Sequence, residues 1–249
     1  MPVLIPLVIF VGAGAGVLIA LALASTDRPV PVHEPDLPPS APPPVGFPTS
    51  TGYKLVDKIL PMLKQAADSS KVPLGVLVGW IAKESGGRLG EVTKLDERGL
   101  FQLMPSESKS LGLDHQRLST DATYSINGGL ALIGQYMKLV NVLDVAPKGS
   151  EYFWRLVKLA HTMGSGATKK IVAMAQDAGE ARTWARLEAY ALAHESEILH
   201  AVKHSPTKWF PFVDKVYAVG APFGFGSQDT IVGGEIFRDI IDPLDCLKA

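Results

Sequence analysis

From Leu55 onward, apolar positions recur at helical spacing almost to the end of the chain. Leu55, Val56, Ile59, Leu60, Leu63, Ala66 and Ala67 predict an amphipathic helix with Pro61 as a kink inside it. Pro73 is suited to open a second helix, with Leu74, Leu77, Val78 and Ile81 on its buried face. Residues 88–104 break the pattern with turn residues and short apolar runs, which predicts a small hairpin. Helical spacing returns over 121–140, 152–159, 167–176, 181–203 and 209–219. The fold class is therefore mainly α with a small β element, and no internal repeat is visible.

Two segments before Thr51 follow other rules. Residues 3–24 carry no charge, and 22 residues of helix span about 33 Å, enough for a bilayer core of roughly 30 Å. This stretch reads as a membrane anchor, with a cleaved signal peptide ending at Ala22-Leu23-Ala24 as the alternative. The nearest basic residue, Arg28, follows the stretch, and the charge rule would make that side cytoplasmic. From Pro29 to Pro48 there are nine prolines, which exclude helix and sheet and suit an extended spacer of up to roughly 60 Å. The expected organisation is an anchor or signal over 1–25, a linker over 26–50, a folded domain over 51–219 and a tail over 220–249. That tail is Gly-rich and then amphipathic through Ile236, Ile240 and Ile241. It is expected either to dock on its own domain or to bind a partner.

The chemistry concentrates between Gly79 and Pro105. Glu84 follows Trp80, Ile81 and Ala82, and Gly86-Gly87 stop the helix just after it. Apolar neighbours and the negative end of the helix dipole both disfavour an anion, as a carboxyl that donates a proton near neutral pH requires. A solvated Glu at a helix end, beside Lys83, is the plainer reading of that position alone. Gln102, between Phe101 and Leu103, needs a partner if it points inward; alternation along a strand would instead turn it out. Asn127 stands beside Gly128-Gly129. Paired glycines cost a helix about 1 kcal/mol each, so they imply close approach by another backbone, with Asn127 buried and hydrogen-bonded in a structural network or at a substrate.

Glu84-Ser85-Gly86-Gly87 followed by Gly99-Leu100-Phe101-Gln102-Leu103-Met104-Pro105 resembles the soluble lytic transglycosylase family, within the goose-type lysozyme superfamily. Leu111-Gly112 and Ser125-Ile126-Asn127-Gly128-Gly129 extend the resemblance. It implies a lysozyme-like α+β domain that cleaves the β-1,4 bond between N-acetylmuramic acid and N-acetylglucosamine to a 1,6-anhydro product. Glu84 is the implied acid and then base, so no second carboxylate is required. The resemblance implies substrate contacts from Phe101, Gln102, Met104 and Asn127, and from Thr93, whose hydroxyl stands near the place of a serine that holds the acid. The family's Ala-Tyr-Asn-Ala-Gly-x-Gly element is replaced by Ala160-His161-Thr162-Met163-Gly164-Ser165-Gly166, which puts His161 and Thr162 at sugar-binding positions. Tyr217 is the counterpart of a late cleft tyrosine.

Other chemistries are poorly served. His194-Glu195 with His200 and His204 lacks the His-Glu-x-x-His spacing, so no metal is expected. Ser85 has no His/Asp partners, and no phosphate-binding glycine motif occurs, so no cofactor is expected. The formal net charge of −1, with no basic stripe, argues against nucleic acid. Cys246 is the sole cysteine, which excludes an intramolecular disulfide. The expected partners are peptidoglycan strands, the membrane through residues 3–24, and envelope or virion machinery through the tail. The expected location is membrane-anchored, facing the periplasm or cell wall, or virion-associated. Rival readings are a hydrolytic muramidase with Asp96 or Asp114 activating water, and a non-catalytic wall-binding module.

Overall fold

A computed structural model describes residues 48–225 of the protein. The apolar stretch, most of the linker, the amphipathic part of the tail and Cys246 lie outside the described residues. Among the described residues no helix is long and apolar enough to cross a membrane. The chain is mainly helical, with nine α-helices among those residues.

Helix α1, Lys54–Ser70, runs through Pro61. Its start is held by Asp57, whose carboxylate accepts from the Ser50 hydroxyl at 2.8 Å and from the Thr51 amide and hydroxyl at 2.6 and 2.7 Å. Helix α2, Leu74–Glu84, is buried at every residue from Leu74 to Ala82. A helix that is apolar all round must lie inside the protein, and α2 does, packed between α1 and α9 (Pro206–Gly220). The α2–α9 contact is made backbone to backbone. A Cβ on Gly75 would strike the carbonyls of Gly220 and Gly224, and one on Gly79 would strike that of Val216. Each glycine costs about 1 kcal/mol of helix propensity. The surrounding Leu, Val and Ile side chains, worth about 1.5–3 kcal/mol each when buried, offset that cost.

The region expected as a hairpin contains two isolated antiparallel bridges, Val92 with Arg98 and Arg98 with Leu103, and no named strand occurs among the described residues. Asp96, Gly99 and Gln102 all take positive φ, so the chain turns too often for a ladder to extend. His115 ties this loop to the short helix α3 (Pro105–Ser110), through Ser108 at 2.8 Å and the Asp96 carbonyl at 2.7 Å.

Helix α4, Ala122–Leu143, is capped by Asp121, which accepts from the Tyr124 amide at 2.9 Å. Gly128 and Gly129 do admit a close neighbour, but it is side chain and not the expected backbone. Gly129 lies under the Phe101 ring and Gly128 against Leu118 and Leu113. A planar ring seated on α4 leaves no room for a methyl group there.

Helices α5 (Glu151–Met163) and α6 (Ser165–Asp177) follow the expected pattern with extra turns at their ends. The single helix expected over 181–203 is two, α7 (Trp184–Ala193) and α8 (Glu195–Val202), broken at His194, whose ψ is 29°. Both halves pack on α6 and α9, and the chain turns between them at His194, so packing overrides continuous helical propensity. Helix α9 continues into a turn over Ala221–Phe223. Phe223 is buried, Gly75 N–H donates to the Gly224 carbonyl at 2.9 Å, and Phe225 stacks on Tyr217. The first residues of the expected tail thus complete the domain.

Candidate active site

Glu84 is the last residue of α2. Gly86 and Gly87 follow at φ 62° and 82°, a conformation that ends the helix. Gly87 has no room for a side chain, since a Cβ there would lie 2.7 Å from the Val56 amide. The α1 start therefore fixes where α2 stops, and with it the direction of the Glu84 side chain.

Behind Glu84, two buried serines hold the glycine-rich segment. Ser85 Oγ donates to the Leu100 carbonyl at 2.8 Å, and the Leu100 amide donates to Ser125 Oγ at 2.8 Å. Gln102 is buried, donates from Nε2 to the Gly99 carbonyl at 2.8 Å, and leaves Oε1 without a partner. Leu100, Phe101 and Leu103 are all buried in the core.

Lys158 is the residue that changes the picture. It lies on α5, its side chain is 1% exposed, and its ammonium bonds Glu84 Oε1. It also bonds His161 Nδ1 at 3.0 Å and lies 4.4 Å from the centre of the Trp80 ring and 5.3 Å from that of Phe212. Glu84 Oε1, His161 Nδ1 and the Trp80 face can take up the three N–H groups of the ammonium. With Nδ1 accepting, the imidazole carries its hydrogen on Nε2, which points toward Glu107 at 3.9 Å.

Glu107, on α3, accepts from the Met104 amide at 2.9 Å and from the Tyr136 hydroxyl at 2.9 Å. His161 completes the cluster, its ring 5.1 Å from Trp80 and 5.8 Å from Tyr136.

Burial governs the ionisation of these groups. It pushes Lys158 below the ordinary lysine value, against the opposing pull of Glu84, Glu107 and Glu97. Burial, and then the Lys158 charge, hold His161 well below the usual imidazole value, so the ring is neutral at pH 7. Burial also raises Glu107, against its hydrogen bonds from Met104 and Tyr136.

The expected site residues do not all meet at one place. Glu84 and His161 meet at the cluster, 3.7 Å apart. Thr93 donates to Glu97 Oε2 at 2.8 Å, and it makes no hydrogen bond with Glu84. Met104 is half-buried and supplies its amide to Glu107; Asn127 is half-buried within α4, with no side-chain hydrogen bond among the described residues. Thr162 back-bonds to the Lys158 carbonyl at 2.9 Å, which fixes the carbonyl of the lysine one turn back. Phe101 packs edge-on to Trp80 inside the core. Tyr217 is 2% exposed with an unpartnered hydroxyl, and Arg155 lies over its ring at 4.8 Å. The antiparallel register of α2 on α9, 75 beside 220 and 79 beside 216, brings Phe212 level with the end of α2. Phe212 is thus the α9 residue that reaches the cluster. Asp96 is bonded to Arg98 at 2.8 Å, and Asp114 accepts from the Gln116 and Arg117 amides.

Lys158, Glu107, Trp80 and Phe212 escaped the sequence reading. Lys158 had a signal, since it is the one charged residue in the apolar run Leu156–Ala160 on a helix buried on most of its face. Glu107 was masked by its position three residues after Met104, where a capping role is the ordinary explanation.

Residues 61–190 match the family model described as the transglycosylase SLT domain. No curated protein matches the chain.

Proposed function

The chain belongs to the transglycosylase SLT family, and from that premise we propose that it cleaves peptidoglycan between N-acetylmuramic acid and N-acetylglucosamine, leaving 1,6-anhydro ends. Glu84 protonates the glycosidic oxygen as the C1–O bond breaks. The carboxylate so formed then takes the proton of the muramoyl C6 hydroxyl as that oxygen closes on C1. The second step is intramolecular, so it needs neither water nor a second carboxylate.

The observation that carries this reading is the seating of Glu84. Its side chain is 18% exposed at the end of the buried helix α2, open to approach on one side and held by Lys158 on the other. His161, in place of the family's Tyr, borders it with its ring 10% exposed, and Thr162, in place of Asn, bonds the Lys158 carbonyl. In the proposal, residues 3–24 anchor the protein, residues 26–50 serve as a spacer, and the tail engages envelope or virion machinery.

The test is mass spectrometry of peptidoglycan digested by the 249-residue chain, beside Glu84→Gln. Anhydro-muropeptides from the parent and none from the variant are expected. Reducing-end products would replace this reading with hydrolysis. A folded parent that binds glycan and releases nothing would replace it with a binding role.

A further inference from the structure

A catalytic carboxyl that must be an acid in one step and a base in the next is, in this protein, bonded directly to a buried lysine. The Lys158 side chain is 1% exposed, and groups from six parts of the fold surround it or stand behind those that do. Glu84 comes from α2, His161 from α5, Glu107 from α3 with Tyr136 of α4 behind it, Glu97 from the loop, and the Phe212 ring from α9. Desolvating an ammonium is costly, and a structural role alone would be filled as well by an apolar side chain of similar volume. The lysine sits where the proton of Glu84 must come from and return to.

We propose that Lys158 is the proton partner of Glu84, a positioning residue that holds the carboxylate between turnovers and supplies the proton with which Glu84 acts as acid. At rest the pair is carboxylate and ammonium. Transfer of one proton across their hydrogen bond gives carboxylic acid and amine. The acid protonates the leaving oxygen as the C1–O bond breaks. The carboxylate then accepts the C6 hydroxyl proton as the new C–O bond forms, and that proton passes back to Lys158. No proton is gained or lost over the cycle. His161 Nδ1 accepts a hydrogen bond from Lys158 and keeps the amine aimed at Glu84 after the transfer. Because the pair shares its proton, the active form persists until the pair as a whole is deprotonated, and activity extends into alkaline solution. This inference rests on the reading of Glu84 as general acid.

The experiment compares the pH dependence of kcat for anhydro-muropeptide release by the full chain and by Lys158→Met, each checked for folding by thermal melting. Without the lysine, Glu84 must draw its proton from solvent, so the alkaline limb of kcat is expected to move down by about one pH unit or more, with KM little changed. Lys158→Arg keeps the charge but cannot release its proton, and it is expected not to restore the alkaline activity. An equal loss of kcat at every pH, or full recovery with Arg, would overturn the proposal while leaving Glu84's role intact. A folded parent without products would overturn the underlying reading as well. If Lys158→Met does not fold, ¹⁵N-lysine NMR of the parent and of Glu84→Gln decides. The Lys158 titration midpoint is expected to fall in Glu84→Gln, and an unchanged midpoint would overturn the proposal.

Discussion

Ser85 and Ser125 grip the same residue from opposite sides: one donates to the Leu100 carbonyl and the other accepts from its amide, each at 2.8 Å. One serine directly follows Glu84 and the other lies on α4. The pair joins the end of α2, the loop and α4 beside the Glu84 carboxyl. Ser125→Ala would leave the buried Leu100 amide without a partner and is expected to cost about 1–3 kcal/mol. Chemical denaturation measures that cost. Muropeptide release is expected to fall by more than the loss of folded protein explains.

Glu84→Gln keeps the size of the side chain and removes its proton chemistry. A drop in kcat of roughly 10²–10⁴ is expected, the usual worth of a positioned acid or base, with glycan binding retained. Single-turnover digestion beside a pull-down on insoluble peptidoglycan separates the two effects.

Gly79→Ala would drive a methyl group into the Val216 carbonyl, and Gly129→Ala would drive one into the Phe101 ring. The first obstacle is backbone, which cannot rotate away; the second is a ring in a filled core. Both variants are expected to lose about 1–3 kcal/mol, with Gly79→Ala the worse. Equal stability in Gly79→Ala would mean that α2 and α9 are not in backbone contact.

His161 makes stability depend on pH, and the sign follows from its burial. Its folded pKa is held well below the unfolded value of 6.5. As pH falls below 6.5 the unfolded chain takes up a proton that the folded protein refuses. Stability is therefore lost through that window at up to about 1.4 kcal/mol per pH unit. Glu107 works in the opposite direction: its raised pKa means the folded protein holds a proton longer, and stability is regained as pH falls toward 4.5. The difference in Tm between the parent and His161→Gln, followed from pH 7 downward, isolates the histidine, and the variant is expected to show the shallower acid slope.

Tyr217→Phe discriminates a cleft tyrosine from a core one. The hydroxyl is buried and unpartnered, so its removal is expected to leave Tm unchanged or raise it, with kcat and KM unaltered. A raised KM would return Tyr217 to the substrate.

Much of this was legible in the sequence because it depends on neighbours along the chain. Glu84 before Gly86-Gly87 set both the end of α2 and the place of the carboxyl, since a helix stop needs only residues that tolerate positive φ. Pro73 before α2 was local in the same sense. Gln102 could be read from the sequence as pointing in or out; it is buried, and it bonds the Gly99 carbonyl within its own turn. The hairpin and the long helix over 181–203 were over-regular readings, because turn strain and packing partners do not show in periodicity.

The helical framework and the family were readable from spacing and short motifs along the chain, and the same motifs singled out Glu84 as the candidate carboxyl. What surrounds that carboxyl depends on packing in three dimensions. Lys158 lies 74 positions from Glu84 and comes within bonding reach only because α5 and α2 both pack on α9. Phe212 replaces Tyr217 at the cluster because two glycines on α2 fix the register of α9. Residue types and intervals are read along one dimension, whereas desolvation and ion pairing depend on which side chains the packed core brings within a few ångströms of each other.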